Sequence, residues 1–412
     1  VRHPPSAEVT SDRISLPGPT GLKGWLLDRA LASTPLVFAA FRRFWPIPRI
    51  GGTYAVTRHD DVLEVFRNHA GFGVPYKVTL DVLTDGEPFF LGMNDGPEYR
   101  EGLAAARSVM RMSDLPALAR QSEQQAEALV AAAGGRLDVV AMTRRVGFDV
   151  LAGLLGIPAP AAGRLDVWST RLFGETPTDP AGRAAVLATA AAFRAHLDAA
   201  IANRKSAGAA GDDVLGRCLA AQAEGRAGFS DIEIRTLLLC LMVGGPPQVP
   251  MVLSQALEQL LRRPGPLAEA QAAARADDDT RLHAIIREAM RFDPLAPALP
   301  RVALAPTVIA AGTPRARTIP AGAKVLVCFA SAMMDERRVP DPARFNAGRR
   351  DVEYIHFGHG LHACIGRAIS EATLHMTLKP LLRRPGLRRA PGAAGRLAKR
   401  GIVAERLVVA FD

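Results

Sequence analysis

The sequence predicts a mainly helical fold with a small β part, a single α+β domain spanning residues 1–412. Three observations carry that expectation. Hydrophobic residues make up 48% of the chain but aromatic residues only 6%, an Ala-, Leu- and Val-rich balance that favours helices. From about residue 98 to 262 the apolar positions recur almost wholly at helical spacing. Beyond residue 300, "RVALAPTVIAAGTPRARTIPAGAKVLVCFA" alternates short β-branched runs with Gly/Pro turns, as a small irregular sheet would. No internal repeat or low-complexity segment suggests a second unit.

The elements follow in order. The N-terminal "VRHPPSAEV" has no apolar signal core, so secretion is not expected, and residues 1–20, with "SLPGPTG", read as a flexible arm. "GGTYAVTRHDDVLEVFRN" predicts a strand, Thr53 to Thr57, running into a helix opened by Asp60 or Asp61. The helical middle is interrupted at "AAAGGR", "GIPAPAAG", "GETPTDPAG" and "KSAGAAGDD". Ser230 and Glu233 have capping-box spacing and launch a long apolar helix.

"VGGPPQVP" interrupts that helix with Pro246, Pro247 and Pro250. An interior proline gives no N–H to the carbonyl four residues back and costs roughly 3 kcal/mol. The carbonyls of Met242, Val243 and Pro246 would then lack their donors. A turn followed by a new helix would accommodate the same residues. Downstream, "RLHAIIREAMRF" predicts a helix with Leu282, Ile285, Ile286 and Ala289 inward. A last helix should carry Ile365, Ile369, Ala372 and Met376 as its apolar stripe, followed by a strand pair around "IVAERLVVAF".

Net charge is +10, from 51 Lys plus Arg against 41 Asp plus Glu, which permits an acidic partner. The arginines are scattered, and neither zinc-finger nor basic-zipper spacing accompanies them, so nucleic acid is not expected. Cys218, Cys240, Cys328 and Cys364 lie far apart without C-x-x-C spacing, which points away from a zinc site or disulfide framework and toward a reduced, cytoplasmic protein. Apolar runs such as Leu237 to Val243 are too short to cross a bilayer, so no membrane is expected.

"HFGHGLHACIGRAISEATLHMTLKPLL" is the most informative stretch. Gly358 and Gly360 allow a tight turn and a close backbone approach. Cys364 immediately precedes a helix, where free N–H groups and the dipole favour its thiolate, the form a metal ligand requires. Phe357, Gly358, Gly360, His362, Cys364 and Gly366 complete Phe-Gly-x-Gly-x-His-x-Cys-x-Gly. This resembles the haem-binding loop of the cytochrome P-450 family. The resemblance implies that family's single haem-enclosing fold, with haem b held by Cys364.

Other positions extend it. Glu288 and Arg291 in "REAMRF" match the family's Glu-x-x-Arg, and Arg349 in "DPARFNAGRR" matches their third partner. Arg301 and His362 match the residues that pair with haem propionates. Where soluble bacterial members place His and, four residues later, Arg, this chain has Tyr99 and Leu103; Tyr99 retains a donor, and Arg100 or Arg107 could compensate.

The broken helix resembles the one crossing the haem's distal face, whose signature is Ala/Gly-Gly-x-Asp/Glu-Thr. Gly244 and Gly245 match its small residues, but Pro247 replaces the acid and Gln248 the alcohol. Proline relays no proton, and an amide cannot titrate. The resemblance therefore implies a monooxygenase acting on a hydrophobic small molecule, with proton delivery altered around Gly245, Pro247 and Gln248. The alternatives are a peroxide-using or hydroperoxide-rearranging enzyme and a non-catalytic haem protein. The absence of Arg between Arg235 and Arg262 disfavours peroxide users that grip a carboxylate substrate there. Met242 to Pro247, residues 295–299 and the segment from Tyr76 to Phe90 should wall the pocket. A ferredoxin, served by a ferredoxin reductase, should dock on the cysteine side near Arg367, Arg383 and Arg384 of a monomer.

Overall fold

The structure, a computed structural model, describes residues 34–174, 180–208, 211–350 and 352–412. The expected arm, 1–20, lies outside them. The middle of the chain is the expected helical assembly, from Pro97–Val109 through Leu115–Ala131, Val139–Leu155, Leu165–Gly174, Pro180–Ser206, Val214–Ala223 and Asp231–Gly244 to Gln248–Leu261. Sequence pattern missed two interruptions, the 3-10 turn Met112–Asp114 and the strand Arg136–Asp138 just after the "AAAGG" turn, the latter pairing with Val408–Ala410. Asp138 then caps the next helix by accepting from the Val140 N–H. The capping box at Ser230 and Glu233 forms as read.

A five-stranded sheet flanks the helices. Thr53–Val56 runs parallel to Lys324–Val327, and Leu299–Ala303 runs antiparallel to the latter, setting Arg301 opposite Val325. Alternation along Leu299–Ala303 turns Arg301 and Ala303 to the buried side. The C-terminal strands do not pair with each other as expected. Val403–Arg406 pairs with Ala398–Arg400, whereas Val408–Ala410 lies between Arg136–Asp138 and Arg388–Arg389 in another sheet.

Helix Asp279–Phe292 buries Leu282, Ile285, Ile286 and Ala289 as its spacing predicts. Helix Arg367–Arg383 is less amphipathic than expected: Leu374 through Leu382 are all buried, because it packs against Leu115–Ala131, Pro264–Arg275 and Asp279–Phe292. Its buried Lys379 is compensated by Asp279 at 2.6 Å and Asp277 at 3.0 Å.

Length and apolarity alone would let Gly182–Ser206 and the run Asp231–Leu261 each cross a bilayer, contrary to the expectation from short runs. Packing accounts for much of that apolarity. The most apolar 18-residue window of Asp231–Leu261 is 72% buried within the fold, and Val186, Ala190, Phe193, Leu197 and Ile201 give the other helix one buried face.

Candidate active site

The cysteine loop folds back on itself and leaves one thiol open. Cys364 donates its N–H to the Phe357 carbonyl at 2.8 Å, and Ala363 donates to Gly360 at 3.1 Å. Gly358 and Gly360 adopt φ of 68° and 72°, and a side chain on Gly360 would collide with the Phe66 carbonyl. Phe357 is half-buried at the loop's closing point. Cys218, Cys240 and Cys328 are buried, whereas Cys364 is exposed. Burial pushes the Cys218 and Cys328 thiols up to about 12.

Cys364 is also held above the usual thiol range by its apolar surroundings, which outweigh the Gly366 N–H it accepts. The helix begins only at Arg367 and leaves Ile365 outside it, so the expected helix-terminus effect on Cys364 is reduced to that one N–H. A bound cation is what would make the thiolate the favoured form.

Beside this loop Arg301 and His362 lie close together. Arg301 is only 5% exposed, donates to the Pro300 carbonyl at 2.8 Å and the Tyr76 hydroxyl at 3.4 Å, and lies 5.1 Å from the centre of the Phe66 ring. Among the described residues no carboxylate pairs with it. His362 presents a buried Nδ1 with no partner. Burial, then the nearby Arg301 charge, pushes His362 down to about 4, so its imidazole is neutral near pH 7.

Tyr99 already has partners within the chain. Its ring meets His362 edge-on at 5.0 Å, and its hydroxyl donates to the Leu361 carbonyl at 2.6 Å, within the cysteine loop itself. Arg100 is engaged by Asp95 at 2.9 Å, so it does not replace the arginine missing at Leu103. Tyr76, named in sequence only as a wall residue, accepts from Arg301.

The Glu288 cluster forms as read and is larger than the sequence disclosed. Arg291 donates to both Glu288 oxygens at 2.9 and 2.8 Å, and Arg349 Nε reaches Glu288 at 3.1 Å. The Asn346 N–H at 3.0 Å and the Tyr354 hydroxyl at 2.8 Å complete the carboxylate's shell. Burial would raise the Glu288 pKa, but Arg291 and these donors hold it below the usual range. Arg291 also binds the Met333 and Pro342 carbonyls, and Arg349 those of Pro340, Asp341 and Arg344, so the cluster ties the loop-rich stretch to the helix.

At the break, Asp231–Gly244 ends and Gln248–Leu261 begins. Pro250 falls in the first turn of the second helix, where proline is tolerated. The Pro246 carbonyl is not orphaned, since it accepts from Val249 at 3.2 Å. Gln248 bridges the break by donating its side-chain amide to the Gly244 carbonyl. Met242, Val243, Pro246 and Pro247 are buried, while Gly244 is exposed and Gly245 and Gln248 half-exposed. Pro247 therefore shapes the backbone, and Gly244, Gly245 and Gln248 form the accessible side.

Two of the three expected docking arginines are engaged elsewhere. Arg383 pairs with Glu123 at 2.8 Å and with Asp277, and Arg384 pairs with Glu127. Arg367 is exposed and, among the described residues, pairs with Glu371 one turn on.

An accessible thiol, a buried guanidinium without a carboxylate and an imidazole with an unpartnered nitrogen fit a ligand carrying both a metal and acidic groups, which is the chemistry of haem b. The site is that of a haem-thiolate protein. A sequence profile of the Cytochrome P450 family matches residues 184–391, and the chain belongs to that family. It is an oxidoreductase of monooxygenase type, of a family that binds haem b through a cysteine thiolate.

Among its relatives, the erythromycin C-12 hydroxylase of Saccharopolyspora erythraea is 28% identical over 81% of this chain and 82% of its own. The P450 monooxygenase PikC of Streptomyces venezuelae is 28% identical over 68% and 65%. Among solved structures, ligand-free cytochrome P450 TbtJ1 matches with a TM-score of 0.78 at 25% identity, covering 92% of this chain and 98% of that one. A mutant of P450 EryK in complex with erythromycin B matches with a TM-score of 0.76 at 25% identity, covering 93% and 97%.

Proposed function

We propose that the chain is a monooxygenase of hydrophobic small molecules in which Cys364 ligates the haem iron and Arg301 and His362 hold its propionates. The observation that carries this reading is the exposed Cys364 thiol at the end of a loop that Phe357, Gly358 and Gly360 fold tightly. Haem b with a thiolate ligand supplies the iron at which dioxygen is activated. The protein's part is to bind, orient and exclude water. Arg301 and His362 provide the donors for carboxylates, and the Glu288, Arg291 and Arg349 cluster fixes the backbone that presents the cysteine loop.

Proton delivery falls to the break. Gln248 can accept and donate hydrogen bonds but cannot titrate, and its amide is committed to the Gly244 carbonyl. The prolines give no N–H to Met242 and Val243, whose carbonyls can hold water that passes protons toward Gly244. A second reading, oxygen transfer from a peroxide without external electrons, is favoured by the missing acid-alcohol pair. The names of the relatives, a hydroxylase and a monooxygenase, favour the dioxygen route. A small ferredoxin and its reductase would supply electrons in the cytoplasm, docking near Arg367 on a monomer.

The test is the spectrum of the reduced protein with carbon monoxide. Thiolate ligation gives its characteristic red-shifted Soret band, which Cys364→Ala should abolish; a parent protein that lacks the band defeats the proposal. Product formed with ferredoxin, reductase and NAD(P)H, against product formed with peroxide alone, separates the two routes.

A further inference from the structure

A small apolar cluster stands apart from the main cores: Met251 and Val403, with Phe173, Leu295 and Ile402 packed on them and only partly buried. Met251 follows Gln248 on the post-break helix, and Leu295 lies between Arg291 and Arg301 in sequence. Ile402 occupies the turn joining Ala398–Arg400 to Val403–Arg406. Besides the helix Leu165–Gly174 that carries Phe173, three separate segments, two of them carrying residues of the haem site, therefore meet at one apolar wall.

Asp293 ties the three together. Gln255, one helical turn beyond Met251 and fully buried, directs Nε2 at the Asp293 carbonyl at 3.1 Å, at Asp293 Oδ1 at 2.9 Å and at the Pro294 carbonyl at 2.9 Å. All three targets are acceptors, so the NH₂ end of the amide must face them. Lys399 Nζ, on the hairpin that carries Ile402, approaches the same Oδ1 at 3.5 Å. A single carboxylate oxygen thus faces both the post-break helix and the C-terminal hairpin, and its own backbone leads to Leu295.

We infer that Asp293 is a positioning residue for substrate selection, setting the spacing of Met251, Leu295 and Ile402 and so the shape of the apolar wall the substrate meets. The inference rests on the haem-thiolate reading above, which makes the space beside Gly244 and Gln248 the substrate chamber. Among the described residues, neither the Glu288, Arg291 and Arg349 cluster nor the cysteine loop shares a hydrogen bond with Asp293, so its effect should fall on ligand shape and leave haem retention alone.

Holoenzyme titrated with imidazole and with 4-phenylimidazole tests this. Imidazole reports access to the iron, whereas the phenyl group must also fit the wall. Asp293→Ala should weaken 4-phenylimidazole about ten-fold or more while imidazole changes by less than about two-fold. Asp293→Asn, which keeps an acceptor for Gln255 but loses the charge facing Lys399, should fall between parent and Asp293→Ala. Lys399→Met should shift the ratio in the same direction and covers the case in which Asp293→Ala does not fold. An unchanged ratio of the two affinities in Asp293→Asn and Lys399→Met overturns the inference. If neither azole shifts the Soret band of the parent protein, the haem-thiolate reading falls and takes the inference with it.

Discussion

Tyr99 donates its hydroxyl proton to the carbonyl of Leu361 at 2.6 Å, joining the Pro97–Val109 helix to the cysteine loop across 262 residues of chain. The tyrosine stands where related bacterial sequences place a histidine directed at a propionate, yet its hydroxyl supports the loop that presents His362 and Cys364. Tyr99→Phe should lower stability by the net value of one buried hydrogen bond, about 1 kcal/mol, while haem content at saturation stays that of the parent. Chemical denaturation and the ratio of Soret to protein absorbance read the two effects separately. Loss of haem with unchanged stability would return Tyr99 to the propionate.

Glu288 faces two guanidiniums and is itself fully buried. Replacing it with Gln leaves Arg291 and Arg349 charged without their carboxylate, and breaking a buried pair in this way costs about 3–5 kcal/mol. Because the folded-state pKa of Glu288 is depressed, its stabilisation is present above the unfolded carboxylate pKa and is lost as pH falls through the folded value. The deficit of Glu288→Gln relative to the parent should therefore be large at about pH 7 and shrink below about pH 4. Urea midpoints across that range check it; a deficit independent of pH would mean that packing, not charge, dominates.

What the sequence disclosed and what it hid divide by range. The capping box at Ser230, the inward face of Asp279–Phe292 and the two-glycine cysteine loop depend on residues a few positions apart, and all took shape as read. The Glu288 cluster was legible as Glu-x-x-Arg only because a family pattern supplied Arg349; nothing local marked Tyr354, 66 residues away, as a donor. Nothing local marked the ion pairs of Arg383 and Arg384, whose acidic partners sit 106 and 257 residues away. Proline chemistry located the break at "VGGPPQVP", but which residues would face open space depended on packing that buries Pro247 and leaves Gly244 accessible.

His375 is buried on the helix after Cys364, with an unpartnered Nδ1 and the His283 ring 5.3 Å away. Burial first, then the charge of His283, pushes it down to about 4. The unfolded chain thus binds a proton more readily than the folded one between the two pKa values. Stability is fully present above about pH 6.5 and is lost as pH falls toward about 4, by about 3 kcal/mol for this one group. His375→Gln should flatten that part of the pH profile, measured as denaturation free energy at about pH 7 and about pH 5. A slope identical to the parent's would assign the acid sensitivity to other groups.

The distal break can be tested by giving it what it lacks. Gln248→Thr, alone and with Pro247→Asp, restores an alcohol and then an acid at the positions where the family carries them. If dioxygen is the oxidant and proton supply limits it, the share of NAD(P)H electrons recovered in product should rise at least about two-fold and peroxide release should fall, since a positioned acid or base is worth about 100-fold or more in a proton-transfer step. Product per NAD(P)H and released peroxide are measured together. A double variant that folds and loads haem yet couples no better would indicate that water at the Met242 and Val243 carbonyls already suffices, or that peroxide is the oxidant.

Arg301 offers a prediction in which two stabilities move in opposite directions. The residue is 5% exposed, and its hydrogen bonds go to a carbonyl and a phenol, neither of which neutralises its charge. A buried cation without an anion costs several kcal/mol in desolvation, which an anionic ligand would offset. Arg301→Met keeps most of the aliphatic volume against Phe66 and removes the charge. The haem-free chain should therefore become more stable, by about 1–3 kcal/mol. The loaded protein should release haem to apomyoglobin at least about ten-fold faster, because a charge-assisted hydrogen bond worth about 1.5–3 kcal/mol has gone. Denaturation of the haem-free chain and the rate of haem transfer check the two signs independently. If both forms are destabilised, Arg301 is holding the sheet together rather than waiting for a carboxylate; if haem release is unchanged, the propionates lie elsewhere.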